Sequence, residues 1–199
     1  MEGRMHNMYP CMEIHLKKIE SNARKVHEIF KPHGISIMAV TKGFTAEPRI
    51  AEAMLRGELE YIADARIKNL KKLKDLPRQK VLLRLPMMIE AEDVVRYSDY
   101  SLNSEIETLK ALGDAAKKLG TIHKVIIMVD LGDYREGIRS QKVGLFVKEA
   151  VEIEGVEIRG FGVNLTCFGG VIPEQTTLQR LVDISEEMRM KYELTLDII

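Results

Sequence analysis

The strongest constraint on how this chain can fold is an alternation that runs unbroken from residue 35 to its end. Short apolar runs give way to helical stripes, and almost every run ends in polar residues. Ile35 to Met38 leads into Ala39-Val40-Thr41-Lys42-Gly43-Phe44, and Glu60 to Ala63 ends at Asp64-Ala65-Arg66. Lys80 to Leu85, Tyr100 to Asn103, Lys124 to Val129 and Ile158 to Val163 follow, and Leu194 to Ile199 begins one more run. Between them, helical spacing places Ile50, Ala53 and Met54 on one side of Pro48 to Arg56, with Gly57 at its end, and aligns Ile67, Leu70 and Leu73. Helices are also expected over Ala91 to Tyr97, Val143 to Val151 and Leu178 to Tyr192, the last with Leu181, Ile184 or Ser185, and Met188 along it. Ser104-Glu105-Ile106-Glu107 matches a capping box ahead of the stripe Ile106, Leu109, Leu112, Ala116 and Leu119, which Gly120 closes.

Near-continuous apolar strands separated by helices mean a parallel sheet covered on both faces. Seven such strands can be counted from the one that leads to Lys42. A (β/α)8 barrel takes about 250 residues. The expectation is therefore an α/β barrel of the TIM type, cut within its seventh strand at residue 199. A doubly wound open sheet fits less well, because no G-x-G-x-x-G follows a strand and the polar strand ends are spread along the chain.

Ahead of the barrel, Met12, Ile14 and Leu16 alternate with Glu13 and His15, which predicts a half-buried strand. Lys17 to Phe30 then reads as a helix with Ile19, Ala23, Val26 and Phe30 on one face, ended by Pro32-His33-Gly34. Met1 to Met8 reads as a loose tail, so that one domain is expected over residues 9–199. Thirty basic and thirty acidic side chains cancel without a long like-charge block, which points to neither nucleic acid nor an anionic membrane as partner. Cys11 and Cys167 stand far apart with no C-x-x-C, a usage suited to a reducing cytoplasm, and no signal peptide or membrane span is evident.

In a barrel the carboxyl ends of the strands converge on one mouth, where ligands bind. Those ends carry Lys42, Asp64, Arg66, Arg84, Asn103, Ser104, Asp130, Asp133, Arg135, Asn164, Thr166 and Cys167. A lysine held on a stiff strand end can be partly desolvated, and its neutral amine forms an imine with an aldehyde; the plainer reading is a solvated charge. Arg84, between Leu83 and Leu85 on an expected buried strand, needs an anionic partner, either a structural carboxylate or a substrate or cofactor. Ser104 reads equally as a helix cap or a ligand, and Asp130 and Asp133 as turn formers. Asp130, Asp133 and Glu136 stand close together, but in a glycine turn with no histidine at ligand spacing, so no metal is expected. None of the five histidines is well placed for acid/base work, and no G-x-S-x-G is present.

Six segments in order carry a resemblance: Ala39-Val40-Thr41-Lys42; Ile62-Ala63-Asp64-Ala65-Arg66; Leu82 to Met87; Ser101-Leu102-Asn103-Ser104-Glu105; Met128 to Gly137; and Asn164 to Gly170. Together they resemble the ornithine racemase branch of the alanine-racemase-like, fold-type III pyridoxal 5'-phosphate (PLP) enzymes, from about Tyr9 to the end. The resemblance implies a racemase that interconverts L- and D-amino acids, with a basic one such as ornithine as substrate, by removing the Cα proton. It implies that Lys42 holds PLP covalently and serves as base on one face of that carbon. Arg135 then takes the place of the arginine near the cofactor phenolate and the substrate carboxylate. Asn164 stands where alanine racemase has a histidine under the pyridine ring, and Arg84, Ser104 and Thr166 are further cofactor-site candidates. In the family a Ser/Gly-rich phosphate loop, and a tyrosine from a carboxyl-terminal β domain of the partner subunit, complete the site. Both would lie beyond Ile199, so this portion alone is expected to be inactive and the full-length protein a homodimer. A non-catalytic PLP-binding cofactor-homeostasis protein, also a single barrel with a strand-end lysine, is the alternative.

Overall fold

The computed structural model describes residues 12–165 and 170–199. The expected tail, Cys11, Thr166 and Cys167 lie outside those residues.

Helix α1, Leu16–Phe30, leads into a short turn whose end is Gly34 at φ 70°, a left-handed conformation that glycine adopts without a Cβ clash. Strand β1 (Met38–Val40), helix α2 (Pro48–Arg56), β2 (Tyr61–Asp64), α3 (Ile67–Lys72), β3 (Gln79–Leu82), α4 (Ala91–Tyr97), β4 (Tyr100–Asn103), α5 (Ile106–Lys118) and β5 (His123–Asp130) follow. A two-residue strand β6 (Ile138–Arg139), α6 (Val143–Ala150), β7 (Val156–Gly162) and α7 (Gln175–Tyr192) complete the order.

Every strand pairing is parallel, and β1, β2, β3, β4 and β5 stand side by side in chain order, with β7 next to β5. Ile198 then bridges Gly160 of β7, again in parallel. An order that never reverses has no switch point, so the doubly wound alternative is excluded and the sheet is the wall of a TIM-type barrel.

The two-residue period of the strands sorts their side chains onto two faces. Ala63, Val81, Tyr100, Leu102, Ile126 and Met128 pack together on the inner face. Ile62, Leu82, Val125, Ile127 and Val129 face outward, against Leu70, Val94, Leu109, Leu112, Val147 and Leu181 of the helices. Burying each such leucine or isoleucine contributes about 1.5–3 kcal/mol. At the amino ends of the strands, Tyr61 and Tyr100 meet edge to face at 6.4 Å. There the Tyr100 hydroxyl donates to Asp197 Oδ2 at 2.9 Å, and Arg159 Nε lies 3.1 Å from the same oxygen.

The structure corrects several expectations. Residues 12–15 form no strand; Met12 and Ile14 are exposed and α1 begins at Leu16, because no neighbouring strand among the described residues offers them a ladder. The buried face of α1 centres on Ala23 and His27, whereas Val26 and Phe30 are exposed. Gly57 explains this rotation: a Cβ there would come within 2.4 Å of the Ala23 Cβ, so α1 crosses α2 where both side chains are minimal. Strand β1 lies three residues later than the run that predicted it, and β3 stops at Leu82 instead of Leu85. The capping box does not form: Glu105, not Ser104, precedes α5, and no side chain caps its amides. The run at Leu194 to Ile199 makes a single bridge instead of a full strand.

Candidate active site at the barrel mouth

Strand β1 ends at Val40, and Thr41 continues its ladder by donating its N–H to the Ala63 carbonyl at 2.8 Å. The Thr41 hydroxyl donates to Asp64 Oδ2 at 2.6 Å. The other oxygen of Asp64 accepts the Arg66 N–H at 2.9 Å and the Asn69 amide at 3.0 Å. Asp64 is fully buried yet well partnered, so it builds the mouth and does not react there. Beyond Thr41 the chain makes a single tight turn, Lys42–Phe44, and then takes positive φ at Thr45 (53°) and Ala46 (55°) before Pro48 opens α2. Left-handed backbone at a residue with a Cβ costs about 1–3 kcal/mol, held here by the buried Thr41–Asp64 anchor. Lys42 is exposed, so the expected desolvation is not supplied by the described residues. Its ammonium forms no hydrogen bond or ion pair with them.

At the end of β5, Asp130 Oδ1 accepts the N–H groups of Gly132 (2.9 Å) and Tyr134 (3.2 Å), which makes it the turn former the sequence suggested. The loop folds back so that Ile138 and Arg139 pair with Val129 and Asp130. Gly137 permits this, because a Cβ on it would lie 2.7 Å from the Asp130 nitrogen. Arg135 Nε sits 3.3 Å from Glu136 Oε2, and the second oxygen of Glu136 accepts from the Asn164 amide. Glu136 thus joins the loop after β5 to the segment after β7. From sequence Glu136 stands out only as a possible metal ligand; its position beside an arginine in a glycine-bounded loop is the available signal. Among the described residues no group of three or more histidine, cysteine, aspartate or glutamate side chains stands at metal-binding distance.

The remaining candidates divide. Arg84 lies past the end of β3, exposed, with its guanidinium 2.6 Å from Glu90. Ser104 is half-buried beside a cleft that Ile138, Arg139 and Lys142 also line. Asn103 is buried on the outward face, where its amide donates to the carbonyl and hydroxyl oxygens of Ser101, both at 2.9 Å. Ser101 Oγ in turn lies 2.9 Å from Nε2 of His123, which burial pushes down to about 4. Arg66 is exposed at the start of α3, and Asp133 is buried. An apolar cavity of about 340 Å³ inside the barrel is lined by Met38, Leu83, Leu102, Met128, Ile198 and Asn164.

The carboxyl ends of parallel strands lie at one end of a barrel, so Lys42 and the Arg135–Glu136–Asn164 set share the mouth. Residues 14–198 match the family model described as alanine racemase, N-terminal domain. The chain belongs to that family. It is 47% identical over 193 residues to an ornithine racemase of Acetoanaerobium sticklandii, covering 96% of this chain and 55% of that protein. It is 34% identical over 194 residues to a lysine racemase of Thermotoga maritima, covering 96% and 54%. The chain spans about half the length of these curated relatives. Among solved structures, an alanine racemase of Streptomyces lavendulae superimposes with a TM-score of 0.75 at 17% identity, over 92% of this chain and 50% of that one. PipY of Synechococcus elongatus with PLP bound gives 0.73 at 18%, over 90% and 87%. At such identities the likeness is one of fold, the alanine racemase barrel. Enzymes of this family use PLP.

Proposed function

We propose that this chain is the barrel portion of a PLP-dependent amino acid racemase acting on a basic amino acid such as ornithine. The observation that carries the reading is Lys42: an exposed amine with no partner among the described residues, on a strained turn at the mouth of this barrel. The residues fit the cofactor: Lys42 has no partner among the described residues, Asn164 lies beside the apolar cavity with its amide on Glu136, and Arg135 brings a cation.

PLP, when bound, supplies a carbonyl carbon for imine formation with an amino acid and a ring that takes up the charge left when Cα loses its proton. Lys42 Nζ would serve one face of Cα, taking up the proton in one direction of the reaction and delivering one there in the reverse direction, with the opposite face served by a second base. Arg135 orients the substrate carboxylate through its guanidinium fork, and Glu136 holds Arg135 and Asn164 in mutual register. The base for the opposite face is not among the residues that resemblance assigns within this chain. Identity with ornithine and lysine racemases supports a basic substrate, and the resemblance supports a homodimer of the full-length protein.

The test is to load the full-length protein with PLP and follow loss of optical rotation for a panel of L-amino acids. Ornithine or lysine should racemise fastest; no racemisation of any member, with cofactor bound, overturns the reading. A second reading is a non-catalytic PLP-binding protein of the same barrel fold. A coding region that stops after an eighth strand would support it, and one that continues into a β domain would support the racemase.

A further inference from the structure

A second cavity, polar and of about 390 Å³, lies beside the loop that presents Arg135. Asp130, Gly132 and Tyr134 of that loop form one wall, Arg139, Ser140 and Gln141 the second, and Arg180 of α7 the third. Arg180 Nη2 donates to Ser140 Oγ at 2.6 Å, which ties α7 to the turn before α6 across 40 residues of chain. Among the described residues no carboxylate lies within ion-pair distance of Arg139 or Arg180, although many of the chain's arginines have one. Asp130, the acid in the lining, accepts two backbone N–H groups on Oδ1 and leaves Oδ2 on the wall. Two arginines, a serine and a glutamine therefore line one concavity, with Arg180 tied to the Ser140 hydroxyl.

From this we infer that the cavity is a binding site for a small oxyanion, a carboxylate or a phosphate carried by a diffusible molecule. Guanidinium groups pair with such oxygens by two parallel N–H bonds, and the Ser140 hydroxyl and Gln141 amide supply neutral donors between them. Occupation would join the segment 130–134, the β6 turn and α7 through a single ligand. Because that segment leads directly into Arg135, binding is expected to stiffen the loop at the mouth. The inference stands on the cavity alone and is independent of the chemistry at Lys42.

The test is a nuclear magnetic resonance titration of the purified full-length protein with inorganic phosphate and, separately, with acetate. Saturable shifts of the Gly132, Ser140 and Gln141 amides are expected with at least one of the two, in the range of about 1–10 mM. Whichever anion saturates names the group the site takes. Arg139→Gln and Arg180→Gln should each weaken binding about tenfold or more, since each removes a charge-assisted pair. Both side chains are exposed, so the variants should fold, and their unchanged amide spectra elsewhere would establish it. Failure of both anions to saturate, or equal binding by the double variant, overturns the proposal.

Discussion

The Thr41 hydroxyl donates to Asp64 Oδ2 at 2.6 Å, and both residues are fully buried, so the residue before Lys42 is bolted to the end of the next strand. Thr41→Val keeps the shape and removes the donor. Asp64 would keep its bonds to Arg66 and Asn69 but leave one buried oxygen short of a partner. A stability loss of about 1–3 kcal/mol is expected, read by chemical denaturation. PLP affinity should fall with it, because the turn carrying Lys42 loses its anchor. A variant that is as stable as the parent would show that the bond contributes nothing.

Lys42→Ala should separate chemistry from structure. The side chain is exposed and has no partner among the described residues, so stability should change by no more than about half a kcal/mol. The visible absorption band of the PLP-loaded full-length protein should vanish, and borohydride should no longer fix the cofactor to the peptide around Thr41-Lys42-Gly43. Covalent labelling of the variant after reduction would remove Lys42 from its role.

Arg135→Ala should keep the band and slow turnover, since in its proposed role the guanidinium orients charge and forms no covalent bond. Glu136→Ala should do so too, by freeing both Arg135 and Asn164. A drop in kcat of about ten- to a hundredfold corresponds to the loss of one or two charge-assisted bonds. Glu136→Gln, which keeps an acceptor for Asn164, should recover part of it. If Glu136→Ala leaves kcat and the absorption spectrum unchanged, Glu136 has no positioning role.

His123 sets a pH dependence of stability. Burial lowers it from 6.5 to about 4 in the folded chain, so it stays neutral where the unfolded chain takes up a proton. Its contribution is complete above pH 6.5 and is lost as pH falls through about 4. The full loss is of order 3 kcal/mol. Denaturation midpoints measured from pH 7 to pH 4 should fall along this curve. His123→Gln, which keeps a polar partner for Ser101, should flatten it.

Much of the architecture was legible because repeating periods report burial directly. The spans predicted for α2, α4 and β4 coincide with those observed, and Leu70, Leu109, Leu112, Leu181 and Met188 are buried where helical spacing put them. The strand-end position of Lys42 followed from the same pattern. The site's internal geometry was not legible in this way. The pairing of Arg84 with Glu90 depended on β3 ending at Leu82, and Glu90 belongs to the next turn.

The sequence by itself therefore determined the class of fold, the direction of the strands and the lysine at the mouth, because each depends on local spacing. Tertiary structure alone decided which polar groups were satisfied. It left residues 12–15 without a neighbouring strand, rotated α1 so that His27 and not Phe30 was buried, and placed Glu136 between Arg135 and Asn164. The physical reason is that a buried polar group is stabilised by its partner, and the partners here come from segments 28 residues apart in the case of Glu136 and Asn164.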